Sequence, residues 1–116
     1  MYKIDNNNNC ISENILKLNK NKIKLLLKSI FDCSSIINNN DKYIKLQIFS
    51  NNIILQIKYL LKLFKIECYV YLNTLYIYDD LSIYHFYNKI SYSYENTILK
   101  LKHIVNININ IVNKNR

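Results

Sequence analysis

From Ile23 onward the apolar positions Ile23, Leu26, Leu27, Ile30 and Phe31 recur at spacings of three and one. That rhythm places them on one face of an α-helix, with Lys22, Lys24 and Lys28 off it. The small residues Cys33, Ser34 and Ser35 end this helix, and the polar run 38–42 marks a turn after the short apolar pair Ile36 and Ile37. Residues 43–49 then alternate, with Ile44, Leu46 and Ile48 on one side and Tyr43, Lys45 and Gln47 on the other, which predicts a half-buried strand. Ser50 suits an N-cap. After it Ile53, Ile54, Ile57, Leu60, Leu61 and Phe64 form an apolar stripe against Gln56, Lys58, Lys62 and Lys65, predicting a second helix over about 51–64.

Two more strands are expected, over 66–72 (Ile66, Cys68, Val70 and Leu72 inward) and 75–78 (Leu75 and Ile77 inward), joined by Asn73 and Thr74 as a tight hairpin loop. Asp79 and Asp80 stand where a helix N-terminus favours negative charge. Residues 81–90 and 95–105 read as two closing helices, the second with Ile98, Leu101 and Val105 inward. The order helix, short strand, strand, helix, strand, strand, helix, helix predicts an α+β unit, an antiparallel sheet with helices packed on one face. Residues 1–10, with Asn6 to Asn9, read as a flexible leader, 11–105 as the domain, and 106–116, alternating Asn with Ile and Val, as a low-complexity tail rather than an edge strand.

At 116 residues the chain fits one domain, and 50% hydrophobic residues with 11 Tyr support a packed core and exclude a disordered one. Gly, Pro, Trp and Ala are all absent, while Asn, Ile, Lys and Tyr crowd every segment, a pattern of AT-rich coding. The net charge of +8, from 16 basic against 8 acidic residues, favours a polyanion such as nucleic acid, although AT-rich coding inflates Lys by itself. Cys10, Cys33 and Cys68 have no metal-ligand spacing, so no metal site is expected and the thiols should be reduced. No apolar run approaches ~18 residues and no signal peptide is visible, so the expectation is a soluble intracellular protein with no membrane partner. Without Gly there is no Gly-rich phosphate loop, and His85 and His103 have no acidic or nucleophilic neighbour at a meaningful spacing.

Residues 26–37, Leu-Leu-Lys-Ser-Ile-Phe-Asp-Cys-Ser-Ser-Ile-Ile, lie without a gap over the pattern Phe-Leu-Arg-Gly-Leu-Phe-Asp-Ala-Asp-Gly-Ser-Ile, the motif helix of the LAGLIDADG (DOD-type) homing endonucleases. The resemblance continues. Residues 44–50, Ile-Lys-Leu-Gln-Ile-Phe-Ser, look like the family's strand ending in Ser. Residues 56–66 look like its helix leading to Leu-Leu…Gly-Ile, and 86–101 look like its closing helices. The chain thus resembles a single, degenerate LAGLIDADG repeat over 11–105, implying an αββαββα(α) unit from a homing nuclease; the AT-rich coding suits an organelle such as a plastid or mitochondrion.

The departures bear on activity. Ser29 and Ser35 stand where the family has Gly, and Ser34 stands where it has its second acidic residue, the one that binds the divalent ion at the scissile phosphate. Cleavage is therefore expected to be lost or weak, with Mg²⁺ needed only if it is retained. Asp32 is a weak catalytic candidate. Two positions along a helix are ~200° apart, so it cannot simply replace residue 34. Its other reading is a helix-end carboxylate bonded to nearby backbone or Lys.

In the family the open sheet face forms a saddle in the major groove, implying duplex DNA as partner. Here that face would carry Tyr43, Lys45, Gln47, Glu67, Tyr69, Tyr71, Tyr76 and Tyr78, with Lys45 and Gln47 on base edges and Lys42, Lys28 and Lys89 on the backbone. The same tyrosines also suit stacking on unpaired bases of RNA or DNA, or simple packing across the strands. A lone repeat is half a nuclease, so a homodimer is expected through Leu26, Leu27 and Ile30 with Ser29 and Ser35. Three functions stay open: DNA binding without cutting, a residually active Mg²⁺-dependent endonuclease, and a non-enzymatic RNA-binding, intron-splicing or organellar assembly protein.

Overall fold

The computed structural model describes residues 4–5, 10–11 and 19–114, with side chains from 19 to 105. Two short strands, β1 (Ile4–Asp5) and β2 (Cys10–Ile11), pair antiparallel; the remainder of the expected leader lies outside the described residues. Helix α1 (Lys20–Ser34) starts where the Asn19 side chain accepts the Lys22 N–H at 3.0 Å, supplying one partner for the unpaired donors of a first turn. Its apolar stripe is buried at Ile23, Leu26, Leu27, Ile30 and Phe31. At Ser35 the backbone turns extended (φ −111°, ψ 157°), so β3 (Ser35–Asn38) follows with no loop.

The chain then passes through β4 (Tyr43–Gln47), α2 (Asn51–Lys62), β5 (Tyr69–Tyr71), β6 (Thr74–Ile77), α3 (Asp80–Lys89) and α4 (Glu95–Lys114). Ser50 caps α2 by accepting the Ile53 N–H, and Asp79 caps α3 by accepting from Ser82 N and Oγ. The fold is α+β. Strands β3 to β6 form one antiparallel sheet in the order β3-β4-β6-β5.

Ile44, Leu46, Leu75 and Ile77 on one sheet face are fully buried with the helices' apolar stripes, whereas their neighbours in sequence reach the other side. The result is two layers with a single core between them. Its centre is aromatic: the Phe31 and Phe86 rings lie 4.8 Å apart and Tyr92 stands edge-on to Phe86 at 5.5 Å.

Three expectations change. Leu26, Leu27 and Ile30, read as a dimer seam, are buried inside their own chain, because α1 lays that stripe over the sheet and α2. The β5–β6 loop is Leu72 and Asn73, with Leu72 73% exposed, instead of Asn73 and Thr74. Moving a hairpin pairing by two residues keeps every paired side chain on its face, so alternation alone could not choose between these registers; Leu72, expected inward, leaves the strand for the turn. Finally, α4 continues past Val105 to Lys114, so most of the segment read as a separate tail has helical backbone. The Asn–Ile alternation there has a strand-like period, but extending a helix already started costs far less than starting one.

Lacking Gly, the chain places ordinary residues at positive φ: Lys42 (59°), Lys65 (62°), Leu72 (55°) and Ser91 (61°). Lys65 closes α2 in a Schellman motif, with Ile66 N donating to Leu61 O at 3.1 Å and Lys65 N to Lys62 O at 3.0 Å. Each such residue carries a left-handed strain of roughly 1–2 kcal/mol that Gly would escape.

Candidate nucleic-acid interface and the motif helix

The C-terminal end of α1 directs its polar groups back into the chain. Asp32 Oδ1 accepts the Ser93 N–H at 2.9 Å and Oδ2 accepts the Ser93 hydroxyl at 2.6 Å, so each carboxylate oxygen has a partner. Ser35 Oγ donates to Phe31 O at 2.7 Å and meets the Tyr92 hydroxyl at 2.6 Å; with its one proton given to the carbonyl, Ser35 accepts from Tyr92. Burial, opposed by the Ser35 hydrogen bond and assisted by the Asp32 charge, raises the Tyr92 pKa above the ordinary phenol value, which keeps that donated proton in place.

Asp32 and Ser35 therefore fasten α1 to residues 92 and 93, about sixty positions away. The reading of Asp32 as a helix-end carboxylate bonded to backbone describes this geometry, with the Ser93 hydroxyl as a further partner. Ser35 likewise faces its own chain, and Ser34, in the expected acidic position, is exposed at the last turn of α1. Among the described residues no group of three or more His, Cys, Asp or Glu side chains could hold a metal ion.

The open sheet face holds the other candidates. Register places Ile36, Lys45, Tyr76 and Tyr69 in one row across all four strands, and Gln47, Thr74 and Tyr71 in a second. Asn38 pairs with Tyr43 in a third, toward the end of β6 where Tyr78 follows Ile77. Tyr43 stands edge-on to Tyr76 at 5.6 Å, and Tyr69 lies 6.3 Å from Tyr76 at an interplanar angle of 37°. Tyr43, Tyr69, Tyr71, Tyr76 and Tyr78 line an open concavity of about 390 Å³.

These three rows and Tyr78 include no carboxylate. Glu67 and Asp79 stand at one end, where with Cys68, Tyr69 and Tyr78 they line a smaller hollow of about 300 Å³. The Glu67 backbone N–H donates to Ser82 Oγ, and burial pushes the Cys68 thiol up to about 12, leaving it unreactive at neutral pH.

No family model, no curated protein and no solved structure matches this chain. Its site must be read from its own side chains. Of the cations expected on a phosphate backbone, Lys42 sits at the β3–β4 turn, Lys28 lies on α1 behind the sheet, and Lys89 Nζ is tied to Phe64 O at 3.3 Å. His85 has a pKa lowered by burial and by Lys89 and Lys65, against a smaller opposing effect of Asp79, so it stays neutral at pH 7. His103 is exposed on α4.

Sequence reasoning missed Ile36, Asn38 and Thr74 on the open face. Strand β3 is only Ser35–Asn38, too short for alternation to register. It also missed the Tyr92 and Ser93 partners, for which no local signal exists. No described helix is long and apolar enough to cross a membrane.

Proposed function

We propose that this is a nucleic-acid-binding protein built on a LAGLIDADG-like unit, which holds DNA against its open sheet face and does not cut it. The observation that carries the reading is that face: Lys45, Gln47 and five tyrosines share the side opposite the helix layer, with carboxylates at its margins, Asp41 beside Asn38 and Glu67 and Asp79 beside Tyr69 and Tyr78. A polyanion meets cation, hydrogen-bonding amide and aromatic ring in the middle of that face.

Support for the family resemblance comes from the element order αββαββαα between Lys20 and Lys114, and from Lys65. That residue stands where the family's Leu-Leu…Gly-Ile pattern has Gly, and it adopts the positive φ that Gly adopts freely. Loss of cleavage is supported by Ser34, a neutral hydroxyl in the acidic position, and by Asp32, whose oxygens are taken by Ser93.

A second copy would complete a two-fold saddle. With Leu26, Leu27 and Ile30 in the core, the outward residues of α1 include Leu25, 59% exposed, half-buried Ser29 and exposed Cys33, at spacings of four along one helix face. The test is titration of purified protein against duplex DNA at several salt concentrations, with and without Mg²⁺. Salt-dependent binding that weakens in Lys45→Ala with Gln47→Ala, and no nicking, is the expected result. Nicking abolished by Asp32→Asn would instead establish the nuclease reading.

A further inference from the structure

We infer that the open face takes an unpaired nucleic-acid strand in preference to a duplex groove, stacking bases on Tyr69, Tyr71 and Tyr76. The inference rests on the nucleic-acid reading above and narrows its substrate.

A duplex hides the faces of its bases and offers only their edges, which are read by forked or bidentate side chains such as Arg, Asn and Gln. A phenol ring cannot make those pairings. What it offers is a π-face, and base faces are available only on unpaired strands.

Exposure points the same way. Tyr69 and Tyr71 are 52% and 59% exposed on β5, the edge strand, where a strand can approach from the side without crossing the sheet. Packing across the strands accounts for the edge-on pair of Tyr43 and Tyr76 at 5.6 Å and the tilted pair of Tyr69 and Tyr76 at 6.3 Å, but Tyr71 and Tyr78 belong to no ring pair among the described residues.

Spacing gives a second, independent criterion. The Tyr69 and Tyr76 centroids are 6.3 Å apart, whereas consecutive bases on one strand of a duplex rise by ~3.4 Å. Successive bases that each used one ring would have to be drawn apart to about twice the duplex rise. An extended strand can do this and a paired one cannot.

The concavity of about 390 Å³ that these rings line falls within the ~300–1,000 Å³ typical of small-ligand sites, enough to receive bases turned toward the sheet. Lys45 shares a row with Tyr76 and Tyr69, so one cation stands beside the stacking rings where the backbone must pass. Four strands at ~4.8 Å spacing make this row about 14 Å wide.

The experiment compares an oligothymidylate and an oligouridylate of about ten nucleotides, within the ~4–16 usual for such sites, with a hairpin duplex of similar charge. The chain has no Trp, so quenching of its own tyrosine emission reports stacking directly, alongside anisotropy of labelled strands. At least tenfold tighter binding of the unpaired strands, with quenching, is expected; the two oligomers show whether the sugar matters.

Tyr71→Ala should weaken that binding about tenfold, since one stacked base contributes ~1–3 kcal/mol, and Tyr71→Phe should retain it. Duplex binding equal to or tighter than the unpaired strands overturns this inference and leaves the DNA-binding proposal standing. So does a Tyr71→Phe loss matching Tyr71→Ala, which would assign the contact to the hydroxyl. Binding to none of the three ligands overturns both.

Discussion

Two tyrosines, Tyr92 and Tyr71, mark the contrast between the end of the motif helix and the open face of the sheet. Tyr92 is 2% exposed, stacks against Phe86 and spends its hydroxyl on Ser35. Tyr71 stands on an edge strand with over half its surface in solvent. The same division holds for the other polar groups. Asp32 and Ser35, in the segment that resembles a catalytic motif, are bonded to residues 92 and 93, whereas Lys45 and Gln47, from an ordinary-looking strand, reach the outer face. The polar groups at the end of α1 are bonded within the fold, and those of the sheet's outer face are turned away from the core.

The sharpest way to break that comparison is at Tyr92. Tyr92→Ala removes a core ring and leaves Ser35 without its donor, so unfolding in denaturant should show a loss of about 3–5 kcal/mol. A loss no larger than for an exposed tyrosine would place this end of α1 outside the load of the fold. Asp32→Ala comes next. It deprives the Ser93 N–H and hydroxyl of a charged acceptor; such bonds contribute ~1.5–3 kcal/mol, and partial exposure reduces the expected loss to about 1–2 kcal/mol. Nucleic-acid binding should be unchanged in that variant.

Local pattern carried the sequence reading a long way. The stripe from Ile23 to Phe31 and the alternation through Ile44 and Leu46 each determine a face by period alone, and the α+β order and the outward set Tyr43, Lys45, Gln47, Tyr69, Tyr71, Tyr76 and Tyr78 follow from them; Glu67, expected in that set, lies before β5, which begins only at Tyr69. Other features were hidden for physical reasons. A pairing shifted by two residues preserves both faces, so only the backbone of Leu72 and Asn73 distinguishes the real hairpin. The stripe of α1 reads the same whether its own sheet or a second copy covers it, which is how Leu26, Leu27 and Ile30 were mistaken for an interface. The tethers from Asp32 and Ser35 join residues far apart in sequence, and nothing in either segment announces the other.

Alkaline pH probes the buried side in a different way. Tyr92 and Cys68 both have folded-state pKa values raised by burial, Cys68 to about 12. The folded chain then holds protons that the unfolded chain releases. The associated stability is complete below the unfolded values, about 8.5 for Cys and 10 for Tyr, and is lost as pH rises toward the folded ones. Unfolding free energy measured from pH 8 to 11 should fall by up to ~1.4 kcal/mol per pH unit for each proton, beginning with Cys68. Cys68→Ala should flatten the first part of that decline and Tyr92→Phe the later part; a profile level across this range would contradict the assignment.

A smaller effect of opposite sign is expected at the hairpin that presents the stacking face. Leu72 adopts φ 55° while Asn73 does not share the positive value, the pattern of a type II′ turn whose first central position Gly usually fills. Leu72→Gly relieves roughly 1–2 kcal/mol of strain and adds about 0.5–1 kcal/mol of unfolded-state entropy, a net gain near 0.5 kcal/mol in denaturant unfolding. A loss of stability would mean that the exposed leucine makes contacts the turn needs.

The smallest stability effect belongs to Tyr71, and its smallness is what makes the residue informative. On an edge strand, with its ring in solvent and its register partner the half-buried Thr74, Tyr71→Ala should change unfolding free energy by less than about 0.5 kcal/mol. The fold would then retain a ring it does not need. If the variant is instead destabilised by 1 kcal/mol or more, as a cross-strand packing role allows, the tyrosines of the outer face are explained by the sheet itself. If stability holds while affinity for an unpaired strand drops about tenfold, the two tyrosines that mark the contrast differ in kind: Tyr92 maintains the structure, and Tyr71 is available to a ligand.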